Sequence, residues 1–352
     1  MAHLTENFTS EAPLSPAVTE AISAAIEQGW ADPKKQSQAS ARAAILRDSA
    51  KSEIAGILGT SPDRLEVLGE PALLHFFALQ GFLQGSANLY TATVDVGKIR
   101  AIARQSADES KVIGVDEEGR LLTAGLKFER NSTISLQATN GETGVTQNLD
   151  SLRGHQCKVV VDATRSLPNR NLVSGFAATT FEASSWSGPQ GIGFINIEDA
   201  KNFKYPLPHI APIRVPGSSS LPLLIGSAIA LSEFIGELEK LKSLRYSLTQ
   251  SLQGIDGVTV LASDAGAESR YLSVIVEKYS SEEVLRSLLR KDLAIDAGSA
   301  CSPEDLTPSH VIASMGYPTT GHLRFTVHPH QSKEDVAKAV TTLKEVLANL
   351  RS

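Results

Sequence analysis

The chain has 352 residues, 41% hydrophobic and 20% charged, the balance of a globular protein with a sizeable core. Its formal net charge of −6, with basic residues scattered along the chain, argues weakly against nucleic acid or an anionic membrane as the main partner. Cys157 and Cys301 are the only cysteines; they allow one disulfide by arithmetic but form no disulfide framework, so a reducing compartment is expected. Residues 1–13 show no basic start followed by an apolar run, and no apolar stretch is long enough to cross a bilayer. No signal peptide is expected, and cytoplasm follows by elimination.

Ser15-Pro16 reads as a helix start, serine as cap and proline at the first helical position, with the helix running to about Gly29. A second helix is predicted over 39–58, stopping at Gly59. Seven β-rich runs then alternate with helical ones, at 65–68, 88–92, 112–115, 133–138, 158–162, 177–181 and 193–197. That alternation predicts an α/β domain with a seven-stranded, mainly parallel sheet. Lys158-Val159-Val160-Val161 ending in Asp162 has the apolar character of a strand buried on both faces. The Pro216 to Ser220 stretch is a loop by composition, and a long helix is predicted over 222–252. A smaller α+β unit follows, with strands at 258–261, 271–276 and 322–327 and helices at 282–291, 308–315 and 333–350. Ser280 with Glu283 makes a capping box, and Ser332 with Asp335 a weaker one. In the last helix Val336, Val340, Leu343, Val346, Leu347 and Leu350 share one face. The expected division is 16–220 as a large α/β domain and 221–352 as a small C-terminal α+β domain, joined by residues 1–15.

Four motifs in order carry a family resemblance over most of the chain. Asn140 to Gln147 resembles an Asn-Asn-Glu-x-Gly-x-x-Gln loop, and Val161-Asp162-Ala163-Thr164 a strand end of the form Val-Asp-Ala-Thr. Gly188 to Gly193 resembles a Gly-Pro-Lys-Gly-x-Gly turn. Gly298 to Cys301, followed by Pro308-Ser309 and Arg324-Phe325, resembles a cysteine loop and a C-terminal Ile-Arg-Phe strand. In these motifs the sequence is similar to the class V aminotransferases, and among them the cysteine desulfurases. The resemblance implies the fold type I of pyridoxal phosphate (PLP) enzymes, a homodimer, and PLP as cofactor. In such enzymes a lysine forms a Schiff base with PLP, a carboxylate pairs with the pyridinium nitrogen, and helix N-terminal amides hold the phosphate.

Carried over by position, Asp162 falls at the pyridinium partner, or is a strand-end carboxylate capping the next turn. Asn140 falls over the ring, or is a loop side chain bonded to backbone. Cys301 falls at the sulfur-accepting thiol, or is a buried or loop cysteine without that use. Arg324 falls at the substrate-carboxylate position, with a carboxylate-binding or internal-pair role, or is only a surface residue of its strand.

Other positions depart from the pattern. Ser185 stands where the family has its Schiff-base lysine and Ser184 where it has a histidine, and no lysine lies between Lys158 and Lys201. A hydroxyl cannot form an imine. Glu70-Pro71-Ala72 aligns with a phosphate-binding Gly-Ala-Thr, and Glu182 with a phosphate-contacting serine. A carboxylate about 4 Å from a phosphate repels it by about 4 kcal/mol at an effective dielectric of ~20, roughly a thousandfold in affinity. Arg165 replaces a glutamine that contacts the ring oxygen, and no stacking histidine occurs in 91–96. Arg165 is expected to form a buried ion pair with Glu182 or Asp162 and fill the pocket. Trp186 is a candidate to fill space left by the cofactor, Cys157 is expected to be structural, and His328-Pro329-His330 reads as a solvated loop, with no metal site expected.

The functional expectation is a cysteine desulfurase-like protein without PLP chemistry, binding a partner protein or a small ligand, with no nucleic acid or membrane partner. The alternatives are a thiol- or sulfur-transfer protein using Cys301 without PLP, and a PLP enzyme holding its cofactor without an imine.

Overall fold

Serine caps start the first two helices: Ser15, the expected cap, accepts from the Val18 amide, and Ser37, which the sequence reading did not name, from that of Ser40. The computed structural model describes residues 7–84, 88–106, 110–154, 156–209, 219–298 and 308–351. The first part of the chain forms β1 (Asn7–Phe8), α1 (Pro16–Gln28), α2 (Gln38–Leu58), β2 (Leu65–Leu68), α3 (Leu74–Leu83), β3 (Leu89–Ala92), α4 (Gly97–Ser106) and β4 (Ser110–Ile113). Then come β5 (Thr133–Gln137), β6 (Lys158–Asp162), β7 (Ala178–Glu182) and β8 (Gly193–Ile197). The remainder forms α5 (Leu221–Gly236), α6 (Leu238–Gln253), β9 (Val258–Val260), β10 (Tyr271–Val276), α7 (Ser281–Leu289), β11 (Ala294–Ala297), α8 (His310–Ser314), β12 (His322–Thr326) and α9 (Lys333–Arg351).

The seven predicted strands form one sheet in the order β2-β8-β7-β6-β5-β3-β4. Strands β7, β6, β5, β3 and β4 run parallel, while β8 is antiparallel to both its neighbours. β5 and the valines of β6 are buried, as befits strands covered on both faces. α3 is apolar almost throughout and packs beneath β6, β7 and β8. Gly193 permits this approach: a Cβ there would lie 2.5 Å from Leu74 Cδ1.

A second sheet has the order β1-β11-β12-β10-β9. β1 and β11, both absent from the sequence expectation, are short, and Asn7–Phe8 is too brief for period-2 alternation to register. The predicted helix over 222–252 is two helices, α5 and α6, bent by 63°. Gly236 ends the first, and each half serves a different surface: α5 lies on α1 and α2, whereas α6 lies on α9 and β9. A straight helix would bury only one of those stripes. The Ser332–Asp335 capping box is complete in both directions. Among the described residues no single helix is long and apolar enough to cross a membrane.

The sheets meet where the 140–147 loop crosses β10. Gly144 has φ +79°, and a Cβ there would lie 2.4 Å from the Tyr271 carbonyl oxygen. Gly144→Ala therefore combines left-handed strain with a backbone clash. It is expected to lower unfolding free energy by on the order of 3 kcal/mol in chemical denaturation.

Candidate functional site

The carboxyl ends of β3, β5, β6 and β7 deliver Asp95, Asn140, Asp162 and Glu182 to one edge of the sheet, where open α/β sheets place ligands. Arg324 arrives from β12. A cavity of about 270 Å³ lies there, lined among others by Gln137, Asn140, Glu142, Arg165, Tyr271 and Arg324.

Asp162 is 2% exposed and both its oxygens are engaged. Oδ1 accepts from the Thr164 amide at 2.9 Å and the Thr164 hydroxyl at 2.7 Å. Oδ2 lies 3.1 Å from His75 Nε2 and accepts from Gln137 Nε2 at 3.4 Å. The imidazole N–H points off the line to the oxygen, so the His75 contact is an ion pair rather than an aligned hydrogen bond. Burial alone would raise the Asp162 carboxyl, but the His75 charge and the hydrogen bonds outweigh it and bring it down to about 2. Burial likewise works against a charged His75, yet Asp162 prevails and raises the imidazole above its ordinary value.

His75 had no place in the sequence expectation. Its signal was available: one titratable side chain in the apolar run Leu74-His75-Phe76-Phe77, a single helical turn past the aligned Glu70-Pro71-Ala72. Asp95 was also missed. It is fully buried, its Oδ2 accepts from the Ala92 amide at 2.7 Å, and burial pushes its carboxyl up to about 7.

Ser185 is 1% exposed, and its Oγ donates to the Glu182 carbonyl oxygen at 2.8 Å. Ser184 donates to Glu182 Oε2 at 3.3 Å, while its own carbonyl accepts from Arg270 Nη2 at 3.0 Å. Glu70 turns its carboxylate onto the Ala72 amide at 3.1 Å, capping the short 3₁₀ turn Pro71–Leu73. The Asn140 side chain is consumed by its own loop. Oδ1 accepts from the Glu142 and Thr143 amides, and Nδ2 donates to the Val94 carbonyl and Gln137.

Three expectations change, and the role of Arg324 narrows to one. Arg165 does reach Glu182, but at 3.9 Å with its side chain 39% exposed, so the pair is loose and leaves the cleft open. Its stem lies over Gly141, whose missing side chain leaves room for it: a Cβ there would lie 2.7 Å from Arg165 Cγ. Trp186 turns away from the cleft into the core, stacked on Phe194 with its indole N–H on the Ser227 carbonyl. His328 is not solvated: it is 1% exposed, its ring bonds the Thr9 carbonyl at 2.8 Å, and burial pushes it down to about 3. Arg324 takes the internal-pair option: it is bound at 2.7 Å to Asp296, its register partner on β11, which also accepts from the Ser10 amide. Cys301 lies outside the described residues, as do the other residues of 299–307. Cys157 is half-buried at the start of β6 and donates to the Glu129 carbonyl.

The comparisons agree with this architecture. The family model for aminotransferase class-V matches residues 224–338. A cysteine desulfurase of Rhodobacter capsulatus is 26% identical over 201 residues, 54% of this chain and 52% of its own length. One from Bradyrhizobium diazoefficiens is 23% identical over 342 residues, 88% of this chain and 86% of its own. A solved NifS-like protein superposes with a TM-score of 0.85 at 17% identity, over 97% of this chain and 99% of that one.

Two outcomes test the electrostatics. The folded Asp95 value, about 7, lies above the ordinary 3.8, so its contribution is present below 3.8 and lost as pH rises through 7. Asp95→Asn keeps the acceptor for Ala92 and removes the titration. Its stability relative to the parent should climb from pH 4 to pH 8, by about 1.4 kcal/mol per pH unit between the two values at most. Arg165→Ala, by contrast, should cost under about 1 kcal/mol in denaturant titration, because a pair held at 3.9 Å with its cation partly open to solvent is worth little.

Proposed function

We propose that this chain, which has the fold of the PLP-dependent transferases of fold type I and is similar to the class V aminotransferases and cysteine desulfurases, has lost PLP chemistry and uses the cleft to hold a small ligand. One observation carries the reading. At the position aligned with the Schiff-base lysine, a serine hydroxyl is buried and already bonded to the Glu182 carbonyl. An alcohol cannot condense with an aldehyde to an imine.

The remaining residues do not fit the cofactor either. The Ala72 amide, at the aligned phosphate loop, is covered by the Glu70 carboxylate, and Glu182 adds a second negative charge at an aligned phosphate contact. A phosphate dianion brought to these groups would be repelled rather than cradled. The ring-nitrogen partner, Asp162, is already paired. Arg165, Arg324, Glu142 and Tyr271 remain on the cleft wall. Arg324 is committed to Asp296, but the loosely held Arg165 guanidinium beside the Tyr271 hydroxyl suits a small molecule that carries an anionic group. The reading includes a cytoplasmic homodimer, and a division into a large unit over 16–220 and a small one over 221–352 joined by 1–15; light scattering tests the dimer.

The chemistry is tested on purified protein, as isolated and after incubation with PLP. The expected result is no visible imine absorbance after dialysis, and no pyridoxyl adduct in the intact mass after hydride reduction. A stoichiometric adduct mapped to one residue of the cleft overturns the reading.

A further inference from the structure

Asp162 is a buried carboxylate that stays ionised in this fold, and a buried charge needs a partner. Thr164 and Gln137 supply hydrogen bonds but no charge. His75 supplies the charge, at 3.1 Å, from the second position of α3. Three features fix it there. The short turn capped by Glu70 delivers the helix start, Gly193 lets Leu74 pack close against the sheet, and His75 itself is 5% exposed. The charged groups that act on the ring are Asp162, Glu182 and Lys98, with buried Asp95 coupled to it as well.

An imidazolium and a protonated pyridine are chemically alike at the contact: each is a flat aromatic ring that sets a positive charge beside a carboxylate oxygen. We propose that His75 is a built-in occupant of Asp162, and that it closes to outside ligands a site whose chemistry is selective for protonated nitrogen heteroaromatics. This rests on the reading that PLP chemistry is lost, and it names the side chain that holds the ring contact shut. Removing the imidazole leaves Asp162 charged, buried and short of a cation, beside the volume of the lost ring and, past Gln137, the cavity of the cleft. A heteroaromatic base that brings its own proton restores the pair.

The test is ligand rescue. Pyridoxine, which has the pyridine ring but neither aldehyde nor phosphate, is titrated into the parent, His75→Ala and the His75→Ala/Asp162→Asn double variant, read by calorimetry and by thermal midpoint. His75→Ala is expected to bind pyridoxine at least about tenfold more tightly than the parent and to recover part of its lost midpoint. The double variant should show neither gain, and benzyl alcohol, which lacks the ring nitrogen, should rescue neither. A folded His75→Ala that gains no affinity overturns the proposal, as does a gain that survives Asp162→Asn. Should His75→Ala fail to fold, side-chain NMR of the parent decides. His75 must titrate above the ordinary histidine value and return toward it in Asp162→Asn, and a ring that titrates normally overturns the proposal. Because pyridoxine cannot form an imine, failure here leaves the loss of PLP chemistry standing, whereas a PLP adduct on the parent strikes that reading alone.

Discussion

The ion pair between Asp162 and His75 is the constraint around which the cleft is arranged. A carboxylate at the end of a central parallel strand, 2% exposed, cannot be left with hydrogen bonds alone. Its paired, ionised state accounts for its low value near 2, and a shift of that size is worth roughly 2 kcal/mol of stability at neutral pH. That stability is present above the ordinary carboxylate value of 3.8 and is lost as pH falls toward 2. α3, its 3₁₀ entry turn and Gly193 all bear on where His75 sits, so the pair ties the helix layer to the sheet.

Around that pair, the polar groups of the cleft are taken up by partners within the chain. Ser185 donates to the turn that carries it, Glu70 caps its own helix entry, and Asn140 is spent on its loop. Arg324 finds Asp296 across one register step of the second sheet. Arg165 is the exception. Its stem rests on Gly141, but its guanidinium is only loosely held by Glu182, which leaves a cation facing the cavity. The self-satisfaction is therefore incomplete on the solvent side, where a ligand would enter.

Much of the fold was legible because its signals are local. Ser15-Pro16, Gly59 at the end of α2, and the valine run of β6 each declare an element boundary or type within a few residues. β11 and β1 were not legible: Ala294 to Ala297 has weak alternation, and Asn7–Phe8 becomes a strand only because β11 is beside it. The α5–α6 bend was hidden because the composition is helical straight through it, and only the separate surfaces buried by Phe234 and Leu241 require the break. In the site, position along a motif was enough to single out Ser185, Asp162 and Arg324 as residues to examine. What depends on residues distant in sequence was not. His75 and Asp296 meet Asp162 and Arg324 only through packing and strand register, and a motif carries no record of either.

The loss of PLP chemistry is tested by a crystal structure of the protein grown with excess PLP. Density for the Ser185 hydroxyl should remain on the Glu182 carbonyl and the His75 ring on Asp162, with no pyridoxal bound between them. Continuous density from any amine of the chain to a pyridoxal ring stacked in this cleft would contradict it.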